Sequence, residues 1–129
     1  MATSTRTAIA MWMALFASSC GPAPGTDCDT SGYRCSGTAT ALECRDGKWR
    51  ELPCRGPLGC SVTDSQVDCD VSRNRLNDAC AESIEGYSLC DTAGTSLIEC
   101  RNGVFLTTYT CTACYPSGAA FTCDQPLTP

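Results

Sequence analysis

The cysteines constrain this chain more than any other feature. Thirteen of them fall within 129 residues. They divide as one, six and six. Cys20 stands alone after an apolar run, while Cys28, Cys35, Cys44, Cys54, Cys60 and Cys69 form a first set. Cys80, Cys90, Cys100, Cys111, Cys114 and Cys123 form a second. A chain this rich in cysteine reads as a disulfide scaffold in an oxidising compartment. Each set spans about 45 residues, near the size at which a hydrophobic core alone ceases to hold a fold. In the chain-entropy account, closing a loop of ~15 residues contributes ~3 kcal/mol. Three bridges per set would therefore hold a small β-module. Six cysteines admit fifteen pairings, and sequence does not choose among them.

Zinc is the rival use of so many cysteines. The chain has no histidine, and its single C-x2-C is Cys111–Cys114, with no second pair at finger or ribbon spacing. The lack of histidine also excludes a Ser-His or Cys-His catalytic pair. Gly56-Pro57-Leu58-Gly59 lacks the strand-to-helix context and following lysine of a phosphate loop. The aspartates are scattered over turns of units too small to build a deep acid–base cleft. We therefore expect a non-enzymatic protein with no metal and no cofactor. A net charge of −5 is opposite to the footprint of nucleic-acid binding.

Residues 1–19 read as an export signal. Arg6 supplies the positive n-region, Ala8–Ala17 is uninterruptedly apolar, and the small residues Ser18 and Ser19 precede Cys20. The run is too short to span a ~30 Å hydrocarbon core, which takes roughly 20 residues as a helix, and so fits a cleaved signal peptide. Ala17-Ser18-Ser19-Cys20 resembles the lipobox of bacterial lipoproteins. That resemblance implies cleavage before Cys20, a lipid on its sulfur and an extracytoplasmic, membrane-anchored protein; secretion as a soluble chain is the alternative. Residues 20–27, with Gly21-Pro22-Ala23-Pro24-Gly25, would then be a lipidated flexible tether.

The remaining chain carries the same unit twice, over 28–70 and 80–124. Gaps between cysteines run 6, 8, 9, 5, 8 and then 9, 9, 10, 2, 8. Leu42-Glu43-Cys44-Arg45-Asp46-Gly47 corresponds to Ile98-Glu99-Cys100-Arg101-Asn102-Gly103, and Trp49 falls opposite Phe105. Residues 71–79 are polar and short, and read as a linker; 125–129 form a tail. Asp46-Gly47 and Asn102-Gly103 are dipeptides that type I′ hairpin turns select, because both central residues need positive φ. The first turn would set Cys44 against Trp49 and Glu43 against Arg50, the latter as a cross-strand charge pair. A second hairpin is expected between Cys60 and Cys69, turning near Asp64-Ser65. No helical periodicity follows the signal. The expected fold is all-β, small and disulfide-rich: two tandem modules of short β-hairpins, preceded by a signal-peptide helix.

Charge differs between the two segments, which carry net −2 over 28–70 and net −4 over 80–124. Lys48, Arg50 and Arg55 surround Trp49 in the first only. Cys35, Cys44 through Trp49, Cys54 and Gly56 through Cys60 give C…C-x-x-G-x-W-x4-C-x-G-x2-G-C. This resembles the chitin-binding modules of carbohydrate-binding family 19, and is similar to repeats of bacterial surface lipoproteins. The resemblance implies sugar stacking by Trp49 and Tyr33, with Lys48 and Arg50 beside them. The second segment departs from it, with Phe105 for the Trp and Thr112-Ala113 for the Gly-Pro loop. The functional expectation is a displayed binding or interaction module, its partner a polysaccharide or surface protein. Alternatives are chitin- or peptidoglycan-type binding through Trp49, a structural spacer, or inhibition of an extracellular hydrolase through Arg55-Gly56-Pro57-Leu58.

Overall fold

The protein is described here by a computed structural model that covers residues 21–124. The expected signal helix, Cys20 and the tail 125–129 lie outside the described residues. Within them the fold is all-β, as expected. The first half places β1 (Tyr33–Cys35), β2 (Thr40–Arg45) and β3 (Lys48–Pro53) in one antiparallel sheet, followed by the hairpin of β4 (Cys60–Thr63) and β5 (Gln66–Cys69). The second half repeats that order. β6 (Ser88–Cys90), β7 (Ser96–Arg101) and β8 (Val104–Thr110) form the sheet, and β9 (Ala113–Ser117) and β10 (Ala120–Asp124) the hairpin. A short 3-10 turn, Glu82–Ile84, precedes β6 near the start of the second half.

Turn chemistry sets these registers. Asp46 and Gly47 have φ of 52° and 76°, and Asn102 and Gly103 have 52° and 78°. Both pairs occupy the left-handed region that a type I′ turn requires. Asp64 and Ser65, at 49° and 67°, do the same for the β4–β5 hairpin. Cys44 accordingly pairs with Trp49, and Cys100 with Phe105. The second sheet differs by a bulge: Ile98 faces Thr107 but Leu97 faces Tyr109, leaving Thr108 as the extra residue.

Six disulfides staple the two halves. Cys28–Cys44, Cys35–Cys60 and Cys54–Cys69 hold the first, and Cys80–Cys100, Cys90–Cys114 and Cys111–Cys123 the second. In chain order each set joins its first cysteine to its third, second to fifth and fourth to sixth. This density of disulfides fits an oxidising, extracytoplasmic setting. No helix among the described residues is long and apolar enough to cross a membrane.

The segments expected as tether and linker are partly built into the sheets. Gly25 N–H donates to the Trp49 carbonyl at 2.7 Å, Trp49 N–H to Thr26 at 2.9 Å, and Cys28 N–H to Gly47 at 3.0 Å. The second half repeats the pattern with Asn77 to Phe105 at 2.8 Å, Phe105 to Asp78 at 2.9 Å and Cys80 to Gly103 at 2.9 Å. Each lead-in thus satisfies the free edge of the third strand, which would otherwise expose unpaired backbone groups. A free tether therefore does not extend as far as residue 27, nor a free linker as far as 79.

The cores lie on different faces. In the second half Leu89, Ile98 and Phe105 close over Cys80–Cys100, with Val71, Ile84 and Phe121 packed against them. In the first half Ala41, Leu52 and Cys54 are buried beneath Tyr33, Val67, Ala79 and Ala81. Ala79 and Ala81 come from the start of the second half, so that half forms part of the first one's core.

Candidate functional site

Side chains alternate across a strand, and directly paired residues share a face. In β2, Ala41 and Glu43 point to one side, and Leu42 and Cys44 to the other. Trp49, paired with Cys44, belongs to the second side; Tyr33 and Arg50, both paired with Glu43, belong to the first. The two aromatics expected to stack on one sugar are therefore on opposite faces.

Each polar group of that expected site has a partner within the chain. The Tyr33 hydroxyl donates to Glu43 Oε1 at 3.0 Å. Lys48 pairs with the Asp27 carboxylate, and the Arg50 guanidinium donates to the Gly103 carbonyl. Trp49 is half-buried with the Arg34 guanidinium carbon 5.8 Å from its ring centre, an arrangement worth about 0.5–1 kcal/mol at an exposed site. The expected Glu43–Arg50 charge pair does not form, although the two residues face each other. Glu43 is only 3% exposed and accepts from Tyr33 and from the Glu82 N–H at 2.8 Å, while Arg50 turns to the second half. The second half supplies both the donor and the acceptor that separate them.

The loop considered for hydrolase inhibition is closely hydrogen-bonded, but its arginine is occupied. Arg55 grips Asp78 with Nε at 2.7 Å and Nη2 at 3.0 Å. The Asp78 carboxylate also accepts from the Arg75 N–H at 2.8 Å. Burial pushes the Asp78 pKa up, but these bonds and the charges of Arg55 and Arg75 outweigh it and hold the carboxyl below its ordinary value. Asn74, fully buried, donates to the Pro53 carbonyl at 2.8 Å and accepts from Arg55 N–H at 3.1 Å. At the tip, Gly59 N–H closes on the Gly56 carbonyl at 3.0 Å, and Asp70 accepts from the Leu58 N–H at 3.0 Å. A Cβ at Gly56 would meet the Asp70 carboxyl at 2.0 Å, and one at Gly59 the Thr38 carbonyl at 1.9 Å. At Gly59, with φ of 59° and backbone in the way, only glycine fits; at Gly56 a side chain would push the Asp70 carboxyl off the Leu58 N–H. What the turn presents to solvent is Leu58, at 81% exposure.

Between the halves lies a cleft of about 480 Å³ bordered by Tyr33, Leu52, Val67, Ala79, Ser83 and Ile84. It marks where residues 79–84 lie over the Ala41–Glu43 face of the first sheet. The matching face of the second sheet carries Leu97 and Glu99, with Leu106 opposite Glu99 and Tyr109 opposite Leu97. Register makes Leu106 the counterpart of Arg50 and Tyr109 the counterpart of Leu52. Leu52 is 2% exposed, whereas Leu106 and Tyr109 are 41% and 52% exposed. Glu99, counterpart of the buried Glu43, instead pairs with Arg101 at 3.0 Å.

Sequence reasoning did not single out Leu106 and Tyr109. Aligning the two segments places a leucine where the first has an arginine, which is a usable signal. The Tyr109 correspondence is shifted by the Thr108 bulge and needs the structure. Comparison with models of known protein families, with curated proteins and with solved structures finds nothing that matches the chain.

Proposed function

We propose that the chain is a non-enzymatic exported lipoprotein, anchored through a lipid on Cys20, that displays a protein-interaction face on its second half. The two halves read as copies of one duplicated module. One observation carries the interaction reading: Leu106 and Tyr109 stand exposed on the face where the first half sets Leu52 beneath residues 79–84 and turns Arg50 to the Gly103 carbonyl. The fold itself uses this face for docking, and the second copy offers it uncovered. Leu and Tyr at the centre with Glu99 and Arg101 at the edge give the apolar core and polar rim of an interface, and tyrosine is enriched among binding hot spots. The second half is acidic, net −4 over 80–124, which favours a partner protein with a basic rim.

A photoreactive residue at Tyr109, in the protein as displayed on intact cells, tests this reading. A discrete cross-linked product is expected at Tyr109 and not at the exposed Val62 of the first half, and Leu106→Asp should abolish it. No product at Tyr109, or the same product from both positions, would contradict the interaction face.

A further inference from the structure

The start of the described chain lies against one end of the first half. Gly21 and Pro22 border a small hollow with Cys35, Ser36, Gly37 and Leu42. The next residue along that wall, Thr38, accepts from Cys60 N–H at 2.8 Å, and Cys35–Cys60 joins the end of β1 covalently to the start of β4. Beside them is the Gly56–Gly59 turn with its protruding Leu58. Leu58, Arg73 and Arg75 border a second, open groove of about 810 Å³. Among the described residues neither Arg73 nor Arg75 forms an ion pair, and both are exposed. A leucine on a hydrogen-bonded tip and two exposed arginines, with the Glu51 carboxylate on the same groove and Asp70 and Asp78 within reach of the arginine charges, therefore stand together at the end where the chain enters the fold, in a protein of net charge −5.

We propose that this end is a membrane-resting surface: Leu58 enters the headgroup region of the bilayer and Arg73 and Arg75 engage anionic lipid phosphates. The proposal rests on lipidation of Cys20, which immediately precedes Gly21. With Gly25 and Thr26 bonded to Trp49, little free chain separates the lipid from this surface. The acyl chains would supply the attachment, since each buried CH₂ adds to it. The leucine and arginines fix the orientation. Each arginine near an anionic surface strengthens the contact by about fivefold, an effect that salt screens.

The test uses the full acylated protein in phosphatidylcholine vesicles, with and without phosphatidylglycerol and with brominated acyl chains as quencher. Trp49→Phe, which copies Phe105 of the second half, removes the background emission of the mature chain, and Leu58→Trp then supplies a reporter at the tip. The expected result is a blue shift and quenching several-fold stronger than from a Tyr109→Trp reporter in the same background. Arg73→Glu with Arg75→Glu should reduce that quenching in phosphatidylglycerol vesicles and leave co-sedimentation unchanged. Co-sedimentation without quenching at position 58 would overturn the resting surface and keep the lipid anchor. Wild-type protein that does not co-sediment would overturn both. An emission shift caused by soluble anionic polysaccharide, with none from brominated lipid, would assign the arginine groove to a glycan and overturn the membrane contact.

Discussion

The second strand of each sheet shows how one framework yields two surfaces. In β2 three consecutive residues, Ala41, Leu42 and Glu43, are buried, which requires cover on both faces. In β7 burial alternates, with Ile98 and Cys100 buried and Leu97 and Glu99 only partly so. The strands share turn type, position in the sheet and disulfide pattern. They differ in what lies over them. Residues 79–84 cover the first sheet, and among the described residues no equivalent segment covers the second. The matched glutamates record the difference: Glu43 accepts from a neighbouring backbone N–H, while Glu99 takes a surface arginine. An element's environment, as much as its own sequence, decides whether a position is core or surface.

The largest test of this contrast concerns the matched aromatics. Phe105 is fully buried and Trp49 only half-buried. Phe105→Ala should cost about 3–5 kcal/mol and Trp49→Ala about 1–2 kcal/mol, read from denaturant unfolding. A larger loss at Trp49 would reverse the assignment of cores.

Next in size are the matched glutamates. Glu43→Ala leaves the Tyr33 hydroxyl and the Glu82 N–H without their acceptor and should cost about 1–3 kcal/mol. Glu99→Ala removes an exposed ion pair and should cost under about 1 kcal/mol. Equal losses would show that residues 79–84 do not cover the first sheet in solution.

Acid probes the junction between the halves more gently. The Asp78 carboxyl is held below its ordinary value, as is that of Asp70, where burial is outweighed by bonds from Ser72 and the Leu58 N–H and by the Arg73 charge. A depressed carboxylate pKa contributes stability above the unfolded value, and that contribution is lost as pH falls through the folded value. The thermal midpoint should therefore drop below about pH 4. In Asp78→Asn the drop should be shallower, with a difference under about 1 kcal/mol for so exposed a partner as Arg55. Identical acid profiles would remove Asp78 from the junction.

The smallest effect is expected at the uncovered face. Leu106→Ser with Tyr109→Ser should leave stability within about 0.5 kcal/mol of wild type, while the photo-cross-linking depends on this face. A substantial loss of stability would mean these residues serve the fold.

Much of the fold was legible because turn chemistry is local. Asp46-Gly47 and Asn102-Gly103 mark hairpins through a requirement for positive φ, and cysteine order marks the two sets. The cross-strand pairing of Cys44 with Trp49 follows from turn position alone. The disulfide partners were not legible, since pairing depends on how two sheets of a half come together. Nor was the use of Gly25–Cys28 and Asn77–Cys80 as edge partners, because those residues carry no strand pattern. The candidate site was least legible. Alternation places Trp49 and Tyr33 on opposite faces only once the β1–β2 register is known. The exposure of Tyr109 depends on a bulge and on there being no covering segment among the described residues.

The central claim, that equivalent faces are covered in one half and open in the other, is most directly tested by hydroxyl-radical footprinting read by mass spectrometry. In the isolated oxidised protein, Leu106 and Tyr109 should label strongly and their counterpart Leu52 should not. On intact cells the label at Leu106 and Tyr109 should fall while that at Val62 persists. Equal labelling of Leu52 and Tyr109 in the isolated protein, or unchanged labelling of Tyr109 on cells, would contradict the account.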